Sequence, residues 1–215
     1  SRLLGVARAR ARDGSVRDQV TYRSMNFVHC YLAGDWSDDH RLDPDLVEQG
    51  LRHGLLWEVS TYLSLCADRQ IRRGHFADAR AQIDRLARIA DTYGSDFAKS
   101  NEDGNRALLL IEERALEAAR VAVDRYFVSR VEKLFNLLAL GWQAKLRLIA
   151  DDLAGAATSL GEAERVLAGL GRVPVYHRAP YVTARFAFDV RTLANAIAAG
   201  NGRAKAAARR RCGAS

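Results

Sequence analysis

Apolar residues recur along this chain at helical spacing, in blocks separated by short polar or glycine-containing turns. The pattern predicts helices over 17–33, 44–53, 55–73, 76–93, 96–113, 115–130, 132–150, 152–168 and 180–199. Asp43-Pro44 has the form of an N-cap followed by proline at the first helical position, and Gly94 marks a helix end. The polar run from Ser100 to Asn105 is expected to delay the helix assigned to 96–113. Arg172 to Arg178 is expected to be a connector, and Pro44, Pro174 and Pro180 all fall between predicted helices. Three Asx-Gly pairs, Asp13-Gly14, Asp103-Gly104 and Asn201-Gly202, lack flanking alternating apolar runs, which excludes an all-β reading.

The turns themselves repeat. Gly34-Asp35-Trp36-Ser37-Asp38-Asp39, Gly74-His75-Phe76-Ala77-Asp78-Ala79, Arg114-Ala115-Leu116-Glu117-Ala118-Ala119 and Asp151-Asp152-Leu153-Ala154-Gly155-Ala156 place their large apolar residue at 36, 76, 116 and 153, spacings of 40, 40 and 37. Ala67, Ala107 and Ala144 each precede that residue by nine positions, where the first copy has Phe27. A period of this size predicts an array of helical hairpins. In each turn a glycine or polar residue ends one helix, and the apolar residue two places on fills the gap between the paired helices. Ala79, Ala119 and Ala156 then let the second helix approach the first closely. The weaker echo at Leu193-Ala194-Asn195-Ala196 lies inside a continuous helical pattern and is discounted.

With Gly74, Phe76 and Ala79 in place, the chain resembles the tetratricopeptide repeat family, whose turn reads Gly-x-Tyr/Phe-x-x-Ala. It is most similar to the long-repeat variant found in regulatory arms of bacterial transcription activators and multidomain nucleotide cyclases. The third and fourth turns lack the glycine, and the family's tryptophan early in the first helix is absent. The resemblance implies an all-α fold, a right-handed superhelical array of antiparallel hairpins. Its repeat domain would span 17–202, with about four hairpins plus the first helix of a fifth. Residues 1–16 would form a basic N-terminal helix or frayed segment, and 203–215 a basic tail or truncated helix. The family register turns Ser64, Asp68, Arg72, Asn101, Glu112 and Lys145 toward a concave face.

Charge changes this picture little. The formal net charge is +7, but Arg2, Arg8, Arg10 and Arg12 lie in residues 1–12, and Arg203, Lys205, Arg209, Arg210 and Arg211 follow Gly200 with no acid among them. Subtracting these nine from +7 leaves residues 13–199 at −2, so the body lacks the basic stripe that nucleic-acid binding along the fold requires. Cys30 and Cys66 fall in apolar helical segments, Cys212 lies near the C-terminus, and no pair has metal or redox spacing. A reducing, cytoplasmic location is the expectation. The longest apolar runs, Leu108 to Ile111 and Leu137 to Leu140, are far too short to span a bilayer. A start at Ser1, within an array already under way, suggests a piece of a longer polypeptide.

Catalytic constellations are sparse. His29 and Cys30 are neighbours that point apart on a helix, and His40, His53, His75 and His177 form no His-x3-His pair. A calcium loop framed on Gly104 would need carboxylates where Lys99 and Leu110 stand. Gly169-Leu170-Gly171 has no preceding strand, and Glu112-Glu113 and Asp151-Asp152 have no second feature pointing to acid–base work. The expectation is a non-catalytic interaction scaffold without cofactor or metal. Its partner is a protein or peptide, including a second copy of the chain, and neither a membrane nor nucleic acid is favoured. A ligand- or peptide-sensing regulatory module is the alternative, and nucleic-acid binding through the basic termini ranks behind it. Besides the concave face, Tyr176, His177, Arg178 and Tyr181 offer aromatic and arginine anchors for a partner.

Overall fold

The computed structural model describes residues 2–37, 41–128 and 133–212. Asp38, Asp39 and His40 lie outside the described residues, as do the last positions of the helix predicted to end at 130 and the first of the one predicted from 132. The described residues form eleven helices and no strand: α1 (Arg2–Arg12), α2 (Val16–Ala33), α3 (Pro44–Arg52), α4 (Leu56–Arg72), α5 (Phe76–Tyr93), α6 (Asp96–Glu112), α7 (Leu116–Val128), α8 (Lys133–Ile149), α9 (Leu153–Leu170), α10 (Val175–Ala198) and α11 (Gly202–Cys212). They are divided between two compact units, Ser1–Glu113 and Arg114–Ser215. The boundary falls in the third of the repeated turns.

Local signals set the helix ends. Ser15 and Asp18 form a reciprocal capping box at α2, Asp43 caps α3 ahead of Pro44, and Ser95 caps α6 through Ala98 N–H at 3.2 Å. Residues with positive φ stand at 34, 54, 74, 94 and 114, twenty residues apart, and again at 151, 171 and 200. All four repeated turns therefore open on the same backbone conformation, although the third and fourth supply Arg114 (φ 63°) and Asp151 (φ 62°) where the others have glycine. A side chain in this region clashes with the following carbonyl, at roughly 1–2 kcal/mol. Arg114→Gly should accordingly be neutral to stabilising by about 1 kcal/mol, the relief of strain exceeding glycine's greater unfolded-chain freedom. Chemical denaturation would read this directly, and a loss of stability would mean that the Arg114 side chain contributes more than its backbone costs.

In the first unit α2 packs on α4 and α4 on α6, while α5 lies against both α4 and α6. In the second unit α8 pairs with α9 and with α10, and α11 lies on α10. Ala67, Ala107 and Ala144 are fully buried, as are Ala79, Ala119 and Ala156. The apolar turn residues differ from expectation: Phe76, Leu116 and Leu153 are only half-buried and Trp36 is 37% exposed. Each of Phe76, Leu116 and Leu153 is the first residue of its helix, so its side chain covers the end of the neighbouring pair instead of filling its middle.

Two segments depart from the sequence reading. The polar run Ser100 to Asn105 does not delay α6, which starts at Asp96. Its charges satisfy one another along the helix: Lys99 pairs with Glu102 and, at 3.3 Å, with Asp103, and Arg106 donates to Glu102 at 2.5 Å. Glu102 and Asp103 are each 2% exposed. Burial pushes the Glu102 carboxyl up, but the hydrogen bonds and charges of Lys99 and Arg106 together outweigh it and leave the group below its ordinary value. The expected connector shrinks to Arg172, Val173 and Pro174, because α10 begins at Val175 and runs through Pro180. Pro180 is the sixth residue of α10, so it cannot supply the N–H that would close the i→i−4 bond to the Tyr176 carbonyl.

Candidate functional site

Residues of α4 and α6 build one continuous face in the first unit. On α4, Trp57, Thr61, Ser64, Asp68 and Arg72 follow spacings of three and four, which places them on one side of the helix. On α6, Phe97, Asn101 and Asn105 do the same, and Glu112 lies two turns further along that side. Trp57 stacks on Phe97 with centroids 5.5 Å apart and rings 25° from parallel. Further along, Asn105 Nδ2 donates to Ser64 Oγ at 2.7 Å and to the Asn101 carbonyl at 2.9 Å. Asn101 Nδ2 in turn donates to the Phe97 carbonyl at 2.9 Å. Each side-chain amide is thus held by the backbone carbonyl one turn before it, and Asn105 also ties α6 to α4.

The face ends in a pocket of about 390 Å³ lined by Tyr31, Trp36, Ile71, Arg72, Phe76 and Glu112, with Gly74 at its edge. The C-terminal ends of α2, α4 and α6 and two repeated turns supply these residues. Arg72 Nε donates to Asp68 at 2.9 Å, and its guanidinium lies 4.6 Å from the centre of the Tyr31 ring. Burial raises the Tyr31 phenol above its ordinary value, with the Arg72 charge opposing and the Asp68 charge adding to the rise. Trp36 meets Tyr31 edge to face, centroids 6.1 Å apart. Arg69, itself 3% exposed, holds the turn from beneath: it donates to the Asp35 carbonyl at 2.7 Å and to the Ser37 carbonyl, and its guanidinium lies 5.8 Å from the Trp36 ring centre. Trp36 is thereby fixed by a buried cation rather than by its own exposed ring.

Measured against the sequence reading, Ser64 and Asn101 are brought together through Asn105, and Arg72 and Glu112 line one pocket. Asp68 is only 6% exposed, so it supports Arg72 instead of presenting a free carboxylate. Lys145 belongs to the second unit, half-buried on α8. The aromatic cluster expected in a connector is the start of α10. Tyr176 and His177 sit edge to face there, with His177 also edge-on to Phe135 at 5.6 Å, and Arg178 is exposed. Tyr181 is a core residue among Leu137, Leu140, Leu160 and Ala184, its hydroxyl donating to Glu164 at 3.3 Å. It is not available as an anchor.

Sequence reasoning missed Tyr31, Trp57, Thr61, Phe97, Asn105 and the role of Arg69. A signal for three of them was present: Trp57 and Phe97, Thr61 and Asn101, and Arg72 and Glu112 are each 40 residues apart, the repeat period itself. Cys30 and Cys66 are buried free thiols, and burial pushes Cys66 up to about 12, far from a reactive thiolate. Among the described residues no group of three or more His, Cys, Asp or Glu side chains is arranged to hold a metal ion, and no helix is long and apolar enough to cross a membrane. Comparison with protein-family models, with curated proteins and with solved structures returns no match.

Proposed function

We propose that this chain is a tetratricopeptide-like, non-catalytic interaction module that binds an extended peptide segment of a protein partner along the α4–α6 face. The hairpins would stack in a right-handed array, a reading supported within each unit by the packing of α2 on α4, α4 on α6 and α8 on α10. The observation that carries the function is the pocket at the end of the face. It combines the aromatic walls of Trp36 and Phe76 with Arg72 and Glu112, the mix of apolar body and oriented charge that anchors a side chain. The part-exposed Asn101 would face the peptide backbone, while the pocket takes one bulky residue. In the setting that the family resemblance suggests, the module would be a cytoplasmic regulatory arm.

Panning a random peptide library on the protein tests this. Enriched peptides are expected to lose about tenfold or more in affinity with Trp36→Ala and with Glu112→Arg, the magnitude of a lost central contact. They should keep their affinity with Asp84→Arg or Arg120→Glu, which reverse exposed charges on α5 and α7. Circular dichroism melts of all four variants separate a loss of binding from a loss of folding. Peptides that respond only to the Asp84 or Arg120 variants would move the site to α5 or α7 and refute the reading.

A further inference from the structure

The first unit has a second cavity, independent of the face above. Arg8 and Arg12 lie one turn apart on α1, Gln19, Tyr22 and Arg23 occupy one side of α2, and Asp43 stands at the start of α3. Together they border a space of about 580 Å³. Several other arginines of this unit are matched with acids: Arg17 with Glu58 at 2.9 Å, Arg72 with Asp68, Arg85 with Glu48 at 3.3 Å, and Arg106 with Glu102. At this cavity the matching fails. No described carboxylate forms an ion pair with Arg8 or Arg12, and Arg23 is 4.0 Å from Asp43. Asp43 is itself committed, because its Oδ1 caps α3 by accepting from Leu46 N–H at 3.1 Å.

Three guanidinium groups around one concavity, with a single occupied carboxylate, concentrate positive potential where a ligand would sit. We propose that this cavity binds a small phosphate ester, of the size of a nucleoside diphosphate. Arg8, Arg12 and Arg23 engage its phosphates, and Tyr22 and Gln19 contact its organic part. The guanidinium fork matches phosphate oxygens two at a time, which favours a phosphate over a lone carboxylate as the anion. The volume lies within the range of small-molecule sites and leaves room for an organic group beside two phosphates. A half-open cavity bordered by α1, α2 and the start of α3, rather than a stripe along the surface, is also the wrong footprint for a nucleic-acid strand.

Isothermal titration with ADP and with inorganic pyrophosphate, at physiological ionic strength, tests the assignment. ADP is expected to bind saturably and more tightly than pyrophosphate. Arg12→Gln and Arg8→Gln should each weaken both by about tenfold or more, as loss of a charged hydrogen bond does. Arg12→Lys should recover only part of that loss, since it keeps the charge and removes the fork. The control is Arg209→Gln with Arg210→Gln, which removes two exposed charges of α11 and should leave affinity unchanged. Circular dichroism establishes that each variant is folded. Absence of saturable binding up to about 10 mM, equal affinity for ADP and pyrophosphate, or an equal loss in the α11 control would overturn the proposal.

Discussion

Replacing Gly141 by alanine is expected to lower the stability of the second unit by about 2 kcal/mol or more, a drop in melting temperature of roughly 10 °C. Gly141 is buried in α8, and a Cβ placed there would lie 2.6 Å from both the Pro180 carbonyl carbon and the Tyr181 nitrogen. These are backbone atoms of α10, and they cannot rotate away as a side-chain tip would. The same substitution at Gly161 in α9 meets nothing within 4 Å. There the helical preference of alanine over glycine acts alone, and about 0.5–1 kcal/mol of stabilisation is expected. Two identical substitutions in one unit should thus move the thermal transition in opposite directions. If Gly141→Ala also raised the melting point, the close approach of α8 and α10 at this residue would be wrong.

In the first unit the largest loss is expected from Tyr62→Ala, about 4 kcal/mol by denaturant titration. Tyr62 is fully buried, stacks on Phe27 with centroids 5.5 Å apart, and accepts the Asp43 backbone N–H through its hydroxyl at 3.0 Å. Burial pushes its phenol up to about 12, so it remains neutral and able to hold that contact throughout the physiological range. Tyr62→Phe keeps the ring and should cost only about 1–2 kcal/mol, the loss of one partner of a part-buried hydrogen bond. Phe76→Ala should cost about as little, because Phe76 is half-buried at the rim of a pocket. Equal losses for Tyr62→Ala and Phe76→Ala would contradict this ordering of the two rings.

Helices and turns were readable in the sequence to within a few residues because their causes are local. Asp43-Pro44, Ser95 and the glycines at 34, 74 and 94 act on their own turn of backbone, and the apolar period needs no partner to be visible. The small residues at 67, 107 and 144 were readable for a related reason: a position that must stay small repeats with the hairpins. Even the two turns without glycine adopt the left-handed conformation, since the geometry of a hairpin demands it whatever residue stands there.

Only the tertiary structure decided what happens to polar and amphipathic side chains. Asp68, Glu102 and Asp103 look like solvated helix faces in the sequence, yet they are buried because Arg72, Lys99 and Arg106 neutralise them from one turn away. Tyr181 looks like an anchor and is core, because α8 and α9 present Leu137, Leu140 and Leu160 to it. The pocket draws Tyr31, Arg72 and Glu112 from three helices, and the basic cavity draws Arg8, Arg23 and Asp43 from three more stretches of chain. Backbone conformation follows from neighbours in sequence, whereas the cost of burying a charge or ring depends on groups tens of residues away. The sequence by itself determined that this protein is built from helices joined by turns at a repeating interval. Which of its charges and aromatics are core, and which gather into sites, was settled by packing.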